Sequence, residues 1–389
     1  MRLNGMRGAG SLAALTLAIV LAGGPVPARA AEPIKVGVPG PLSGPYANAG
    51  IDIVNAAKLA ADQINAKGGV LGRPLEIVPE DDACDPTTAV QAAQKMIDSG
   101  VVAVAGGYCS GAALPELSTL HRQDIPYVLD ASTNPRLTEM GYNDVFRTIG
   151  RDDEQGPFAA SFIANVLHAK RAAVINDNTT YAKGLAVATV AALKKLGVDV
   201  VYNNAITPGQ MDYSPVLTRV AELKPDALYF TGYFAEGGLM VKEAHELHLN
   251  FAFIGGDGNN DPTLLKTAGP AADGMFVTCA PLPQFLSGAK GFVDDYTKQF
   301  GHPPGPYSAY EYDAIGVLAQ AIERAKATTP AALNASLAET KDYPGITGSI
   351  SFNSKGDRTV AVYIVITVKN DQFAPYMRLD PAGKWVSMN

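Results

Sequence analysis

The fold is indicated by one segment, Val101-Val-Ala-Val-Ala-Gly-Gly-Tyr-Cys-Ser-Gly-Ala-Ala-Leu-Pro-Glu-Leu117. It opens with small and β-branched apolar residues, which is typical of a strand buried on both faces. It ends in a pattern that predicts the first turn of a helix. Between the two parts, Cys109 and Ser110 stand side by side where the strand gives way to the helix. Such a position suits either a nucleophile or an anchor for a ligand.

The same alternation of strand and helix patterns extends along the whole chain. Strand patterns occur in a first series at 34–38, 75–78, 101–106 and 127–129, and in a second at 172–175, 198–202, 227–230, 251–254 and 275–277. Helix patterns fall between them, at 50–66, 87–99, up to 122, and near 181–196, 213–223, 236–247 and 261–268. Because this alternation produces parallel sheets covered by helices, we predict an α/β protein with two doubly wound domains.

Two late segments, 348–352 and 360–367, are also strand-like. They are expected to return the chain to one of the earlier sheets, and composition does not say which. No low-complexity run or long linker separates the two series, which indicates that the domains are closely associated.

The first 30 residues have the features of a secretory signal peptide. Arg2 and Arg7 give a positive start, residues 12–22 form an apolar core too short to span a bilayer, and Ala28-Arg-Ala30 matches the small-x-small cleavage pattern. No cysteine follows the expected cleavage point, so we expect no lipid anchor. No later stretch reaches about 18 uncharged apolar residues, so we expect a soluble exported protein.

The composition excludes some partners. The chain has 389 residues, 47% of them apolar, with a formal net charge of −7 and a sequence pI near 5.3. The length indicates two domains. A basic stripe for nucleic acid is lacking, and the acidic balance gives no attraction to an anionic membrane.

Export changes the expectation for the three cysteines, Cys84, Cys109 and Cys279. In an oxidising compartment, two of them are expected to be bonded. A bond between Cys84 and Cys109, 25 positions apart, would stabilise the fold by roughly 3 kcal/mol. Cys279 would then be a small buried apolar side chain. The cysteines and five scattered histidines show no familiar metal-ligand spacing, so we predict no metal or other cofactor.

Polar residues follow several of the predicted strands. Ligands bind at the carboxyl ends of strands in open parallel sheets, where helix N-termini offer free N–H groups to an anion. Ser110 and Thr133 stand at such junctions and together suit a carboxylate, although as ordinary N-caps each would contribute about 1 kcal/mol. Asp152 begins the second series, with a solvated acidic loop as its alternative role.

Three further residues, Tyr181, Tyr233 and Asp257, each lie past a strand pattern of the second series. That places them at the expected rim of a site, although each alone suits a turn or an interface equally well.

Catalytic signatures are weak. Ser110 directly precedes Gly111, so the Gly-x-Ser-x-Gly nucleophile motif is not matched, and His121 is the only histidine within twenty residues of it. Residues 245–248 lack the histidine pair of a zinc protease. Cys109 as a nucleophile is disfavoured by export. We therefore expect a protein that is not an enzyme, with an exported hydrolase that uses Ser110 as the alternative.

Several longer motifs occur together in one order. They read Ile34-Lys-Val-Gly-Val-Pro-Gly-Pro-Leu-Ser-Gly-Pro45, Asp62-Gln-Ile-Asn-Ala-Lys-Gly-Gly69, Asp81-Asp-Ala-Cys-Asp-Pro86, Arg147-Thr-Ile-Gly150, Asp153-Glu-Gln-Gly-Pro157 and Tyr181-Ala-Lys-Gly-Leu185. With these motifs, essentially the whole mature chain resembles the leucine/isoleucine/valine-binding proteins of bacterial ABC importers.

The resemblance implies a type I periplasmic binding protein, in which two Rossmann-like lobes are joined by a three-segment hinge. The implied lobes are residues 32–151 with 280–354, and residues 152–279 with 355–389. It further implies a monomer in the periplasm that delivers a small amino acid to an ABC permease and its ATPase. The same lobes acting as a sensor that reports ligand occupancy to a receptor are the alternative.

The resemblance also assigns roles on the first lobe. It implies a disulfide between Cys84 and Cys109. Ser110 would hold the ligand carboxylate, while Ala131 and Thr133 would grip the α-carboxylate and α-ammonium groups through backbone and hydroxyl atoms.

Other roles complete the implied pocket. Tyr181 and Tyr233 would close over the ligand, and Asp257 would face its ammonium group. Asp152 matches an aspartate near the lobe boundary. The side-chain pocket would be lined by Tyr108 and Tyr307.

Three positions depart from the family pattern. Ala49 stands where a tyrosine is usual, Tyr108 replaces an aliphatic residue, and Asp257 replaces a glutamate. These changes leave the ligand open among branched-chain, other neutral or aromatic amino acids, aromatic carboxylates, and urea or short amides. The charge of Asp257 favours a ligand that bears an ammonium group, because an aromatic carboxylate would leave that buried charge unpaired at a cost of several kcal/mol.

Overall fold

The first part of the chain forms a parallel sheet in the computed structural model, which describes residues 1 and 31–388. Its strands are β1 (Ile34–Gly40), β2 (Leu75–Asp81), β3 (Ala103–Gly106), β4 (Tyr127–Leu129) and β5 (Val145–Arg147), in the order β2-β1-β3-β4-β5. Every pairing is parallel. Between the strands run α1 (Ala47–Ala66), α2 (Pro86–Asp98) and α3 (Ser110–His121).

The second part repeats the alternation. It contains β6 (Arg171–Asn176), β7 (Asp199–Ala205), β8 (Ala227–Phe230), β9 (Ala252–Gly255) and β10 (Phe276–Cys279), again paired in parallel. The accompanying helices are α4 (Asp152–Asn165), α5 (Thr180–Lys195), α6 (Ser214–Glu222), α7 (Phe234–Glu246) and α8 (Pro262–Ala268).

The last part of the chain packs against the first sheet and adds strands to the second. Helices α9 (Lys290–Phe300), α10 (Ser308–Ala325) and α11 (Pro330–Ala338) come first, and α10 packs on α1, β3 and β4 of the first sheet. A small antiparallel pair follows, β11 (Tyr343–Gly345) with β12 (Gly348–Ile350). Then β13 (Ile364–Lys369), β14 (Gln372–Leu379) and β15 (Trp385–Ser387) extend the second sheet, whose order is β15-β14-β13-β10-β9-β8-β6-β7.

These elements confirm the predicted fold of two doubly wound α/β lobes. Three segments, 148–151, 280–289 and 351–363, carry the chain from elements of one lobe to elements of the other. The late strands behave differently from each other: β13 joins the second sheet antiparallel to β10, whereas β12 pairs only with β11. Four strands, β5, β11, β14 and β15, were not predicted from the sequence.

Local signals explain where helices begin. Asp85 accepts hydrogen bonds from the N–H groups of Thr87 and Thr88 ahead of α2, with Pro86 in the first turn. Such a cap satisfies N–H groups that have no partner inside the helix.

Helix α2 packs closely on β1, where a Cβ atom at Gly37 would lie 2.4 Å from the sulfur of Met96. A larger residue at position 37 would therefore separate the helix from the sheet.

A buried cluster of charged side chains joins the end of β5 and the first connecting segment to the third. The Arg147 side chain is fully buried, and its Nε lies 3.0 Å from the carboxylate of Asp357. Arg151 approaches the same carboxylate at 2.7 Å, and Thr138 donates to it at 2.9 Å. Asp357 is in the third connecting segment, so these contacts fix that segment against the first lobe beside the first connecting segment.

Residues Glu32–Asn389 form a single unit by their contacts. The predicted signal peptide, residues 1–30, lies outside the described residues except for Met1. Within the described part of the chain, no helix combines the length and apolar character that crossing a membrane requires.

Candidate ligand-binding site

Ser110 begins α3 immediately after the turn that follows β3. Gly107 in this turn has φ +95, and a Cβ there would lie 2.3 Å from the Tyr127 hydroxyl, so only glycine fits. The Ser110 side chain is buried, and its Oγ accepts a hydrogen bond from the N–H of Asn134 at 3.4 Å. Cys109 occupies the N-cap position, so the alternative role of Ser110 as an ordinary N-cap is wrong.

Ala131 and Thr133 come from the neighbouring strand end, after β4. Both are buried, and Ser132 between them donates to the carbonyl of Gly107 at 2.8 Å. That bond joins the two strand ends, so that Ser110 and Thr133 belong to one surface. Thr133 is not an N-cap either, since Asn134 caps the following short helix.

On the other lobe, Tyr181 and Asp257 are directly bonded. The Tyr181 hydroxyl donates to Oδ1 of Asp257 at 2.7 Å and accepts from the N–H of Gly258 at 3.0 Å. A Cβ at Gly256 would lie 2.8 Å from the Tyr181 hydroxyl, and one at Gly258 would lie 3.1 Å from the Tyr181 ring. Glycine on both sides of Asp257 therefore permits the close approach.

Tyr307 crosses from the first lobe to reach the same aspartate. It immediately precedes α10, and its hydroxyl donates to the Asp257 backbone carbonyl at 3.1 Å. The ring of Tyr108 lies 5.5 Å from those of Tyr307 and Tyr233, and Tyr233 lies 5.0 Å from Tyr181, measured between centroids. All five residues are buried, so the two lobes meet here in a closed arrangement.

Tyr46 belongs to this cluster, although sequence reasoning missed it. Its ring centroid lies 5.0 Å from that of Tyr233 and 6.2 Å from that of Tyr108. Its hydroxyl donates to Glu236 on α7 at 3.4 Å. The available signal was its position: Tyr46 lies between β1 and α1, just as Ser110 lies where β3 gives way to α3. The neighbouring Ala49 is buried in α1.

Two buried carboxyl groups lie in or beside the site. Burial raises the pKa of Asp257, and the hydrogen bond from Tyr181 opposes the increase. Burial also raises the pKa of Asp152, and the nearby charge of Asp257 adds to the increase, while the Thr133 hydroxyl and the charge of Arg147 oppose it. Burying a carboxylate is costly unless a cation or hydrogen-bond donors compensate, so this environment favours an ammonium group and disfavours a second anion.

Asp152 is fully buried at the start of α4, which excludes its alternative role in a solvated loop. The Thr133 hydroxyl acts on its carboxylate, although among the described residues neither oxygen has a partner of full hydrogen-bond geometry. A Cβ at Gly184 would come within 3.1 Å of Oδ2 of Asp152 and 2.4 Å of the Asn134 side chain. Asp152 therefore sits where the first and second lobes approach each other.

The geometry disfavours a serine hydrolase. His121 lies at the opposite end of α3 from Ser110, about 16 Å away at the rise of an α-helix, and its Nδ1 is 2.7 Å from Asp144. The other four histidines, at 168, 245, 248 and 302, are exposed, whereas Ser110 is buried. No described histidine is placed to activate the serine.

The cysteines behave as expected for an exported chain. Cys84 and Cys109 form a disulfide with their Cα atoms 5.4 Å apart. Cys279 is a buried free thiol, and burial raises its pKa well above the usual value. The disulfide anchors the loop after β2 beside Ser110.

Similar proteins are known in sequence and structure. A family model described as periplasmic binding protein matches residues 33–372. Leu/Ile/Val-binding protein BraC3 of Rhizobium johnstonii is 36% identical over 327 residues, which cover 84% of this chain and 89% of that protein. Leucine-specific-binding protein of Salmonella typhimurium is 35% identical, with 84% and 88% covered.

Two solved structures share the whole fold. Leucine binding protein LivK from Thermotoga maritima is 30% identical with a TM-score of 0.84, covering 90% of this chain and 99% of that one. LivJ from Streptococcus pneumoniae, in complex with isoleucine, is 27% identical with a TM-score of 0.82, covering 88% and 98%. A benzoate complex from R. palustris, 21% identical with a TM-score of 0.80, shares the fold. By its sequence and its two-lobed architecture, the chain belongs to the periplasmic binding protein family.

Proposed function

We propose that this protein captures a neutral α-amino acid between its lobes in the periplasm and delivers it unchanged to an ABC importer. The observation that carries the proposal is the pairing of opposite chemistries across the cleft. Asp257 offers a buried carboxylate, while Ser110 and Thr133 offer hydroxyl groups beside the N-terminus of α3. A zwitterion satisfies both ends, because its ammonium group compensates Asp257 and its carboxylate accepts from hydroxyl and backbone N–H groups.

Each previously predicted residue has a role in this proposal. Ser110, Ala131 and Thr133 hold the carboxylate end, and Asp257 with Tyr181 holds the ammonium group. The side chain of the ligand is covered by aromatic rings, namely those of Tyr108, Tyr233 and Tyr307. Asp152 contributes its charge from the lobe boundary.

The proposal includes the division of the chain between the lobes. Residues 32–151 with 280–354 form the first lobe, and 152–279 with 355–389 form the second. Strand membership supports these limits, since β1–β5 lie in one sheet while β6–β10 and β13–β15 lie in the other. Each boundary falls between secondary-structure elements, where backbone rotation alters the fewest hydrogen bonds.

Capture then follows from lobe closure. The ligand first docks on Ser110 and Thr133, and rotation about the three connecting segments brings Tyr181, Tyr233 and Asp257 over it. A ligand that bridges both lobes binds the closed state more tightly than the open one, and this difference in affinity shifts the equilibrium. The permease then recognises the closed monomer.

Calorimetric titration with a panel of neutral amino acids tests the proposal. We expect at least one to bind with a Kd of about 1 μM, corresponding to about 8 kcal/mol. Benzoate and urea complete the panel, because neither compensates Asp257 with an ammonium group. Binding of benzoate or urea but of no amino acid would contradict the proposal, as would an absence of heat from every amino acid in the panel.

A further inference from the structure

We propose that the cleft selects amino acids with small side chains, of the size of alanine or serine, and discriminates against leucine, isoleucine and phenylalanine. This inference rests on the proposed function, since it concerns the same site. The feature that imposes the limit is a tyrosine box, defined as the side chains of Tyr46, Tyr108, Tyr181, Tyr233 and Tyr307.

The charged ends of the ligand determine where its side chain lies. The carboxylate is at Ser110, and Tyr108 precedes Ser110 by only two residues in the turn after β3. The ammonium group is at Asp257, to which Tyr181 and Tyr307 both donate hydrogen bonds. The α-carbon must therefore lie between these anchors, with its substituent directed at the tyrosine box.

Within the box the rings touch one another. Tyr108 has its centroid 5.5 Å from Tyr233, 5.5 Å from Tyr307 and 6.2 Å from Tyr46. Aromatic rings at such centroid separations are in direct contact. A methyl group placed between two rings needs about 3.5–4.0 Å on each side, hence a gap of roughly 7 Å or more. The rings of the box are closer together than this, so a branched side chain does not fit between them.

The box is also held in place. Tyr307 and Tyr181 are anchored on Asp257, and Tyr46 is anchored on Glu236. Tyr108 and Tyr233 lie between the anchored rings and are only 4% exposed each. Neither ring can swing aside for a larger ligand without breaking its contacts with the rings around it, and opening such packing costs free energy.

A small polar side chain remains compatible with the box. Among the described residues, the hydroxyl groups of Tyr108 and Tyr233 make no hydrogen bond, unlike those of Tyr46, Tyr181 and Tyr307. A phenol hydroxyl is both a donor and an acceptor, so either can pair with the hydroxyl of serine. Alanine and serine are therefore the expected ligands.

Calorimetry with alanine, serine, leucine, isoleucine and phenylalanine tests the inference on the mature protein after removal of any co-purified ligand. We expect the wild-type protein to bind alanine or serine at least tenfold more tightly than leucine. Tyr108→Leu widens the box and is expected to raise the affinity for leucine relative to alanine by tenfold or more. Tyr108→Phe keeps the ring, so the preference should remain.

A matched control is Tyr312→Leu, a tyrosine of α10 that contacts Gln63 and Phe292 outside the box; its preference should equal that of the wild-type protein. Leucine or isoleucine binding as tightly as alanine to the wild-type protein would overturn the inference and leave the proposed function intact. An unchanged preference in a folded Tyr108→Leu would remove Tyr108 from the size limit. If no amino acid bound, the proposed function itself would be wrong.

Discussion

Asn48 of the first lobe donates a hydrogen bond of 2.8 Å to the carboxylate of Asp261, which precedes α8 of the second lobe. A second bond of 3.3 Å joins Asn48 to the hydroxyl of Thr263. Elsewhere on the rim, Asn134 donates to the carbonyl of Thr180 at 2.8 Å. The closed arrangement thus contains hydrogen bonds between the lobes that do not involve the proposed ligand anchors.

These bonds predict that affinity depends on residues that never touch the ligand. We expect Asn48→Ala to weaken amino acid binding about two- to tenfold, because the closed state alone loses a hydrogen bond of about 0.5–1.5 kcal/mol. Calorimetry with the tightest ligand measures the change. Gln63→Ala is the control, since Gln63 donates to Asp295 within the first lobe at 2.8 Å. Equal affinities for both variants would show that the Asn48 bond does not bias closure.

Ser110 makes a second prediction. We expect Ser110→Ala to weaken binding by about 1–3 kcal/mol, because one oxygen of the ligand carboxylate would be buried without its donor. Ser118→Ala on the same helix is the control, since the Ser118 hydroxyl, within the described part of the chain, bonds only to the carbonyl of Leu114. Isothermal titration of both variants against the wild-type protein provides the comparison. An affinity unaffected by Ser110→Ala would place the carboxylate elsewhere.

Most residues of the proposed site were predicted from their positions after strands, because a parallel sheet brings the carboxyl ends of its strands to one edge, where ligands bind. Ser110, Thr133, Tyr233 and Asp257 could be located in this way from apolar runs and the residues that follow them. Tyr46 satisfies the same rule after β1, but it stands amid Gly44, Pro45 and Ala47 in a turn-like stretch, which obscured it.

Relationships between distant segments were beyond local reasoning. The contact of Tyr307 with Asp257 depends on how the lobes close, and the buried pair of Arg147 with Asp357 depends on where the third connecting segment returns to β5. Periodicity reports only which face of an element is buried. Strand β14, which lies between β13 and β15, is half-buried along most of its length, so it lacks the apolar run that predicts a core strand.

The disulfide predicts a stability difference. Replacing Cys84 and Cys109 by alanine together should lower the free energy of unfolding by about 3 kcal/mol, since the 25-residue loop gains freedom in the unfolded chain. Urea unfolding of the oxidised protein and of the double variant gives the value. Wild-type protein reduced before unfolding should resemble the double variant, and equal stability of the oxidised and reduced forms would contradict the prediction.

Asp130 and Glu311 make stability depend on pH. Asp130 follows β4 and Glu311 lies on α10, and both are fully buried. Among the described residues, no side-chain donor reaches their four carboxylate oxygens, and the backbone N–H groups of Asp130 and Ala131 only partly offset the burial of Asp130. Burial raises the pKa of both side chains well above the usual values, and the charge of Asp130 adds to the increase for Glu311. The folded protein therefore retains protons that the unfolded chain releases above its ordinary pKa values of about 4.

It follows that the stability from these groups is complete below about pH 4 and is lost as the pH rises toward the raised pKa values. We expect the urea midpoint of the wild-type protein to fall between pH 5 and pH 8. Glu311→Gln should flatten this dependence, because a neutral amide releases no proton. Glu323→Gln on the same helix is the control, since Glu323 is exposed and accepts from the N–H of Leu71, a role that the amide oxygen can retain. A dependence equally steep in Glu311→Gln and the wild-type protein would exclude Glu311 as its source.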